Sequence, residues 1–391
     1  MAKYEYLILG GGMTAAAAVT GIRHVDQDGS IGLISAENDP PYDRPPLSKG
    51  LWKGKSEDEV FRPIEAHQVD LHLGRTVVRL DPDAHQLTDA AGDTYGYDKL
   101  LLATGGSPRQ LPFGGDSILY YRTLEDYHRL RRLSKDVERF AVIGGGFIGS
   151  ELAAALAMQG RQVTMLFPEP AVGAGRFPTD LAAYLNQYYQ DHGVDVLAGE
   201  TLVGVEQIDD GLHLTTGSNR RMTVDAVVAG LGIKPSSLLA ETAGLEVNDG
   251  IVVSPSLQTT NPDIYAAGDV ARFHNAALDT RMRVEHEDNA NTMGELAGRS
   301  MAGESVTYDH QPFFYSDMFD HGYEAVGVLD DKLDIVADWQ EENEKGVVYY
   351  LKQGRPLGVL LWNVWGKVDE ARQLLAAGLT VEPAELKGRI A

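Results

Sequence analysis

The chain has 391 residues, too many for one compact core, so two or three domains are expected. Its hydrophobic and charged fractions, 43% and 23%, are ordinary for a globular protein, but the net charge of −23 opposes binding to nucleic acid or anionic membranes and, more mildly, to an acidic redox protein. With no cysteine, it excludes disulfides, thiolate metal sites, Cys-ligated iron–sulfur clusters and Cys-x-x-Cys relays. No basic leader precedes the first strand and no apolar run reaches the roughly 18 residues that span a bilayer, so a cytoplasmic protein without a membrane span or a metal site is expected.

Residues 4–37 read as strand, glycine turn, Ala-rich helix and strand, the start of a doubly wound sheet. The turn Gly10-Gly11-Gly12-Met13-Thr14-Ala15 is a dinucleotide-binding finger with alanine in its third small position. The second strand ends near Glu37, about where a carboxylate meets a ribose hydroxyl. The prolines of 40–49 then set an extended entry into a helix and present Arg44 and Lys49 to the cofactor's edge or simply to solvent. β-like pieces follow around 71–80, 85–89 and 97–103, the last running into the small-residue turn Ala103-Thr104-Gly105-Gly106. A charged helix from Thr123 to Arg132 reads as the crossover to a second nucleotide domain.

That domain opens on Ala141 to Glu151, where Gly144-x-Gly146-x-x-Gly149 gives a second finger between an apolar strand and a helix. Glycines let backbone N–H groups approach a pyrophosphate, and the helix start supplies positive dipole. Two fingers imply two dinucleotides, and hence flavin plus nicotinamide redox chemistry. Past the next strand, 162–167, Glu169 can accept from both ribose hydroxyls and repels a 2′-phosphate, which favours NADH over NADPH. No Lys or Arg occupies 168–175, and Arg176 is the nearest.

A helix over about 178–192 and mixed strands lead to 225–235, after which Ile264 to Asp269 puts an aspartate at the end of an apolar strand. The helical stretch 285–302 starts polar and turns small-residue-rich. From about 310 the segments become aromatic and β-rich, with a short charged loop over 338–345 and a closing helix over about 368–377. The expected fold is α/β, with two Rossmann-type dinucleotide-binding domains and a smaller α+β C-terminal domain. Residues 1–121 and 248–309 form the FAD domain, 122–247 the NAD domain and 310–391 the third.

These residues resemble the flavoprotein pyridine-nucleotide reductases over essentially the whole chain, and the apoptosis-inducing-factor branch in particular. The motifs in order are Gly10-Gly-Gly, Ala103-Thr-Gly-Gly106 and Ala267-Gly268-Asp269, with the second finger inserted before the last. The branch rests on Pro41-Tyr-Asp-Arg-Pro-Pro-Leu-Ser-Lys49, Gly144 to Glu151, Val284-Glu285-His286, Ser316-Asp317, Gly322 to Gly327 and Leu361-Trp-Asn363. The resemblance implies FAD contacts by the first finger, Glu37, Arg44, Lys49, Val77, Thr104, Gly105, Arg109, Gly268 and Asp269, with Glu285 and His286 near the isoalloxazine. It implies NAD contacts by Gly145, Gly146, Phe147, Ile148, Glu169 and Gly232, joined by Tyr315, Glu324 and Asn363. Phe147 would stack over the flavin where nicotinamide enters, and Lys49 and Glu151 would pair beside flavin N5, so gating and tuning fall to Lys49, Phe147 and Glu151.

Second readings stay open for several of these. His286 also suits a satisfied core histidine, Glu151 a first-turn acid placed for the helix dipole, and Glu324 and Asn363 ties between strands. Family members of the human type carry a mitochondrial presequence and a long third-domain insertion, where this chain has only the short 338–345 loop, so a death-signalling role is not implied; they also have a tryptophan that can stack in the nicotinamide site where this chain keeps an aromatic face with Tyr315. The resemblance implies an FAD-dependent NADH oxidoreductase whose acceptor, a small molecule or a protein, is unidentified. A ferredoxin or rubredoxin reductase component and an NADH-responsive redox sensor are the alternatives, and a homodimer is left open.

Overall fold

The computed structural model describes residues 2–390, which group into two compact units. Of these, the first comprises residues 2–45, 55–107 and 234–312, and the second 46–54, 108–233 and 313–390.

In the first unit, strands Val69–His72, Ile31–Ile34, Ala2–Leu9, Thr94–Leu102 and Ile264–Ala266 lie side by side and parallel. Thr94–Leu102 also continues into an antiparallel excursion through Gln86–Asp89 and Val77–Asp81. The C-terminal ends of the two central strands, residues 6–9 and 100–102, are apolar because helices cover a parallel sheet on its faces, and Leu7, Ile8, Leu100 and Leu101 are fully buried.

Helix Met13–Val25 packs lengthwise on helix Glu287–Met301. Small residues make this possible: a Cβ on Gly21, Gly294 or Gly298 would collide with the carbonyls of Glu295, Thr14 or Ala18 respectively. The small-residue run read from 285–302 is thus the seam of a helix pair. That helix begins at Glu287, with His286 as its N-cap.

The second unit contains a parallel sheet in the order Val194–Ala198, Gln162–Phe167, Arg139–Ile143, Ala226–Ala229, Ile118–Tyr120. Residues 118–120 hydrogen-bond in register with 227–229, so this sheet takes its first strand from ahead of residue 122. A three-stranded antiparallel sheet, Leu202–Ile208, Gly211–Thr216 and Arg221–Val224, packs its apolar face into the same core. Residues from 313 onward build a five-stranded antiparallel sheet in the order Phe313–Met318, His321–Gly327, Arg355–Trp362, Lys345–Lys352, Asp334–Glu341, with helix Val368–Ala377 against it.

The charged loop expected over 338–345 is mostly strand. Asp338, Trp339 and Glu341 pair with Val347, Gly346 and Lys345, leaving only a tight turn at 342–344. Alternating polar residues on a half-exposed strand read as loop when charge alone is counted.

The helix seam gives a test. Gly298→Ala gains helix propensity of about 1 kcal/mol, but the clash at the Ala18 carbonyl outweighs it. A net destabilisation of about 1–3 kcal/mol is expected in urea unfolding. An unchanged midpoint would refute the seam as a close-packed contact.

Candidate functional site

Each unit carries a glycine turn between a buried strand and a helix. In the first, Gly10 has φ +126°, a backbone that L side chains rarely adopt, and Gly11 lies against Ser35. A Cβ on Gly12 would meet nothing within 4 Å. Helix Met13–Val25 starts at Gly12 with no side-chain cap and no acid in its first turn. In the second unit Gly144 has φ +115°, Gly145 lies over the Phe167 ring, and Gly149 sits against the Gly144 carbonyl, so strand and helix close tightly. Helix Phe147–Met158 likewise starts, at Gly146, without a side-chain cap or an acid in its first turn. The leading N–H groups of a helix lack intrahelical partners, and here open space and positive dipole face them. A dinucleotide pyrophosphate fits both turns on these grounds.

Around the first turn, Arg44 and Glu37 form an ion pair at 2.6 Å, and the Tyr42 hydroxyl donates to the other Glu37 oxygen. Burial works against the Arg44 charge, but Tyr42, Glu37 and Asp269 outweigh it, and the guanidinium is held above its ordinary pKa. Gly268 packs on Thr14, which places the Asp269 turn at the start of the first helix. Arg283 donates to the Asp269 carbonyl at 3.1 Å and to the Glu285 carboxylate at 2.5 Å. The Thr104 hydroxyl donates to the Ser236 carbonyl at 2.8 Å, and the Gly105 carbonyl accepts from the Ser236 N–H at 3.0 Å. Val77 begins the outer strand of the antiparallel excursion, opposite Asp89.

Lys49 and Arg109, both expected among the FAD contacts, group with the second unit. The Arg109 N–H donates to the Gly232 carbonyl at 2.9 Å, and its side chain is exposed.

The centre of the second unit is Glu151. Its side chain is 1% exposed and lies beyond the helix's first turn, so a dipole role does not account for it. One carboxylate oxygen accepts from Lys49 Nζ at 2.7 Å and from the Ser316 hydroxyl at 2.5 Å, and the other accepts from the Ser48 hydroxyl at 2.5 Å. The Lys49 ammonium also lies 5.2 Å from the Tyr315 ring centroid. Ser48 and Ser316 stand inside motifs legible in the sequence, but nothing local marks them as donors to a carboxylate far along the chain.

Phe147 packs edge-on against Phe314 and near Tyr323, with the Arg176 guanidinium 4.4 Å above its ring centroid. Arg176 Nη2 is also the nearest group to the space that a Cβ on Gly146 would occupy, at 3.6 Å. Ile148 is partly exposed beside it. Glu169 follows the strand Gln162–Phe167 with an exposed side chain. Glu324 pairs with Tyr315 across two strands, and its carboxylate accepts from the Gly366 N–H at 3.1 Å.

Asn363 is committed to its own sheet. Its carbonyl accepts from the Gly322 N–H at 2.8 Å, and its amide donates to the Glu344 carbonyl and to His321 Nδ1, both at 2.7 Å. Because the amide can only donate, His321 Nδ1 accepts and the ring proton sits on Nε2, facing the Tyr184 hydroxyl at 2.8 Å. Tyr184 in turn donates to Glu344 at 2.6 Å. Burial holds the His321 pKa below that of an ordinary imidazole, against the opposing pull of Glu344 and Asp320.

Two dinucleotide folds, each with an open glycine turn, and a closing antiparallel sheet define the class of two-nucleotide flavoprotein reductases. The pyridine nucleotide-disulphide oxidoreductase family matches residues 4–294, and the C-terminal domain of mitochondrion-associated apoptosis-inducing factor matches 297–343 and 337–377. The mitochondrial apoptosis-inducing factor 1 of Dictyostelium discoideum is 34% identical over 97% of this chain and 80% of its own length. Putidaredoxin reductase of Pseudomonas putida is 31% identical over 98% and 94%. The crystal structure of the covalent putidaredoxin reductase–putidaredoxin complex superposes with a TM-score of 0.91 at 30% identity, covering 99% of this chain and 96% of that one.

The chain belongs to the pyridine nucleotide-disulphide oxidoreductase family, among the apoptosis-inducing-factor-like and ferredoxin-reductase-like members. It is an FAD-dependent NAD(P)H oxidoreductase, and having no cysteine it works without a redox-active disulfide. No helix among the described residues is long and apolar enough to cross a membrane.

Removing one partner of the buried pair should cost far more than removing both. Lys49→Met is expected to lose about 3 kcal/mol by stranding the Glu151 charge, and Lys49→Met/Glu151→Leu to recover much of it. A double variant less stable than the single in urea titration would contradict this. His321 binds fewer protons folded than unfolded. Its contribution is therefore full above the unfolded value of about 6.5 and is lost as pH falls below it. His321→Gln should flatten the drop in unfolding midpoint between pH 7.5 and 5.5, and an equally steep drop would refute the assignment.

Proposed function

We propose that this protein draws electrons from NADH in preference to NADPH, and that the first unit holds FAD while the second holds the nicotinamide dinucleotide. The observation that carries the preference is Glu169, an exposed carboxylate just past the strand that follows the second glycine turn. A carboxylate there accepts from the ribose 2′- and 3′-hydroxyls and repels a 2′-phosphate. When bound, the two cofactors supply the hydride chemistry, and the protein supplies binding and orientation.

In the first unit, the open helix start at Gly12 takes the FAD pyrophosphate. Glu37 and Asp269, aligned by Arg44, take hydroxyl groups of the cofactor. In the second, Gly145, Gly146 and Ile148 present backbone N–H groups to the NAD pyrophosphate, with Arg176 as a cation over the turn. Phe147 offers an aromatic face whose other neighbours, Phe314 and Tyr323, keep it from collapsing. Lys49 is held in place between the Glu151 carboxylate and the Tyr315 ring, where it tunes the local potential.

The acceptor is a redox protein or small molecule taking electrons from reduced FAD. A ferredoxin-type acceptor gains support from the likeness to putidaredoxin reductase, a structure solved with putidaredoxin attached. The net charge of −23 weighs against an acidic partner unless a local basic face receives it.

Anaerobic stopped-flow mixing tests the reading. NADH should bleach the flavin band faster than NADPH, and Glu169→Ala should narrow the ratio at least tenfold. Equal rates with both nucleotides in the wild type would remove the Glu169 argument. Phe147→Ala should slow flavin reduction while FAD stays bound, and loss of FAD would mean the turn was assigned to the wrong dinucleotide.

A further inference from the structure

We propose that Asp331 is a positioning residue for the nicotinamide dinucleotide, acting through a clasp on Gly175 that sets Arg176 over Phe147 and Gly146. The proposal rests on the reading that the second unit binds that dinucleotide.

The segment between strand Gln162–Phe167 and helix Thr179–Asp191 must turn back on itself, and it contains Gly173 and Gly175. Glycines there raise the entropy of the loop, so its conformation needs external ties. At one end the Gly173 N–H donates to the Gly145 carbonyl at 3.2 Å, which anchors the loop to the glycine turn itself. At the other, Gly175 is gripped twice by a residue of the segment between strands His321–Gly327 and Asp334–Glu341. Its N–H donates to Asp331 Oδ2 at 3.1 Å, and its carbonyl accepts from the Asp331 N–H at 3.3 Å. Asp331 sits on a stiff support, since Lys332 N–H donates to Asp330 Oδ1 at 3.0 Å and Leu333 N–H to the Asp330 carbonyl at 3.1 Å.

Arg176 directly follows these anchors. Its N–H donates to the Gly173 carbonyl at 3.1 Å, and the next residue, Phe177, is wedged against Tyr323 and Trp362. The backbone on both sides of Arg176 is therefore fixed, and the guanidinium is delivered to the Phe147 face, 4.4 Å from its centroid. A cation pre-set over the open Gly146 N–H region binds a pyrophosphate without first losing its rotamer freedom. Asp331 is itself anionic and its carboxylate is turned to the Gly175 N–H, so it acts on the dinucleotide through the loop and not by contact.

The test uses FAD-loaded protein, with equilibrium binding of NAD+, steady-state KM and kcat for NADH, and urea unfolding. Asp331→Ala should raise the NAD+ Kd and the NADH KM about fivefold to tenfold with kcat within twofold. Asp331→Asn, whose side-chain carbonyl still accepts from Gly175, should restore both to within twofold. In Arg176→Gln/Asp331→Ala the second substitution should add nothing to the first, because both act through one guanidinium. Should Asp331→Ala fail to fold, Asp331→Ser, too short to reach Gly175, takes its place.

A lowered unfolding midpoint with unchanged Kd in Asp331→Ala would reduce the clasp to a structural tie and overturn the proposal, as would additive losses in the double variant. Unchanged NAD+ binding in Arg176→Gln would defeat the underlying reading of the turn. Loss of binding in Arg176→Gln but not in Asp331→Ala defeats the Asp331 proposal alone.

Discussion

A carboxylate at 1% exposure is among the most expensive groups a fold can carry, and Glu151 is affordable only because donors from separate parts of the chain converge on it. Ser48 and Lys49 come from the short stretch 46–54, Ser316 comes from the antiparallel sheet, and Glu151 comes from the helix behind the glycine turn. Withdrawing any one of these segments leaves a buried anion short of a partner. Glu151 therefore ties these segments together, and the helix that carries it begins four residues earlier, at Phe147, directly after the glycine turn. The Lys49 ammonium is shared between the carboxylate and the Tyr315 face, which fixes its position without neutralising it.

The two glycine turns work in the opposite way. There the backbone is held by shape, through positive φ at Gly10 and Gly144 and contacts that admit no Cβ, while the helix N–H groups ahead of it are left without a side-chain cap. Saturated side-chain networks and unsaturated backbone donors stand next to each other in both units. In the first, Glu37, Arg44 and Tyr42 satisfy one another, and the helix start at Gly12 has no side-chain cap. At the first turn this eases the approach of an anionic ligand to a strongly anionic chain, because the Glu37 carboxylate is already paired with Arg44 and Tyr42.

The turns were legible in the sequence because their chemistry is local. Glycine spacing, the apolar strand before it and the small residues after it all lie within about a dozen positions. The Lys49–Glu151 pair came only from the resemblance, since no periodicity links residues so far apart. Ser48 and Ser316 were invisible as donors for the same reason. Of the two readings of Glu151, the first-turn acid depends on a helix boundary that sequence locates only to within a few residues, and the helix starts at Phe147, which puts Glu151 beyond that turn. The 338–345 stretch differs for another reason: its charge reads as loop, whereas its residues pair as a strand with a tight turn at 342–344. Asn363, which the resemblance puts at the nicotinamide dinucleotide and which also reads as a tie between strands, directs its amide hydrogens to His321 and Glu344.

That last residue bears on what the antiparallel sheet is for. The Tyr184 hydroxyl joins helix Thr179–Asp191 to His321 and Glu344, and His321 joins this contact to Asn363 and thereby to the Gly322 backbone. Asp331 holds the loop that enters the same helix from its other end. The sheet thus grips the polypeptide following the nucleotide strand at two places, once at the loop carrying Arg176 and once along the helix after it. Its polar side chains there are consumed in making these grips. A brace of this kind contributes by removing conformations from a glycine-containing loop, and its worth is greatest where a charged ligand must meet a cation already in place.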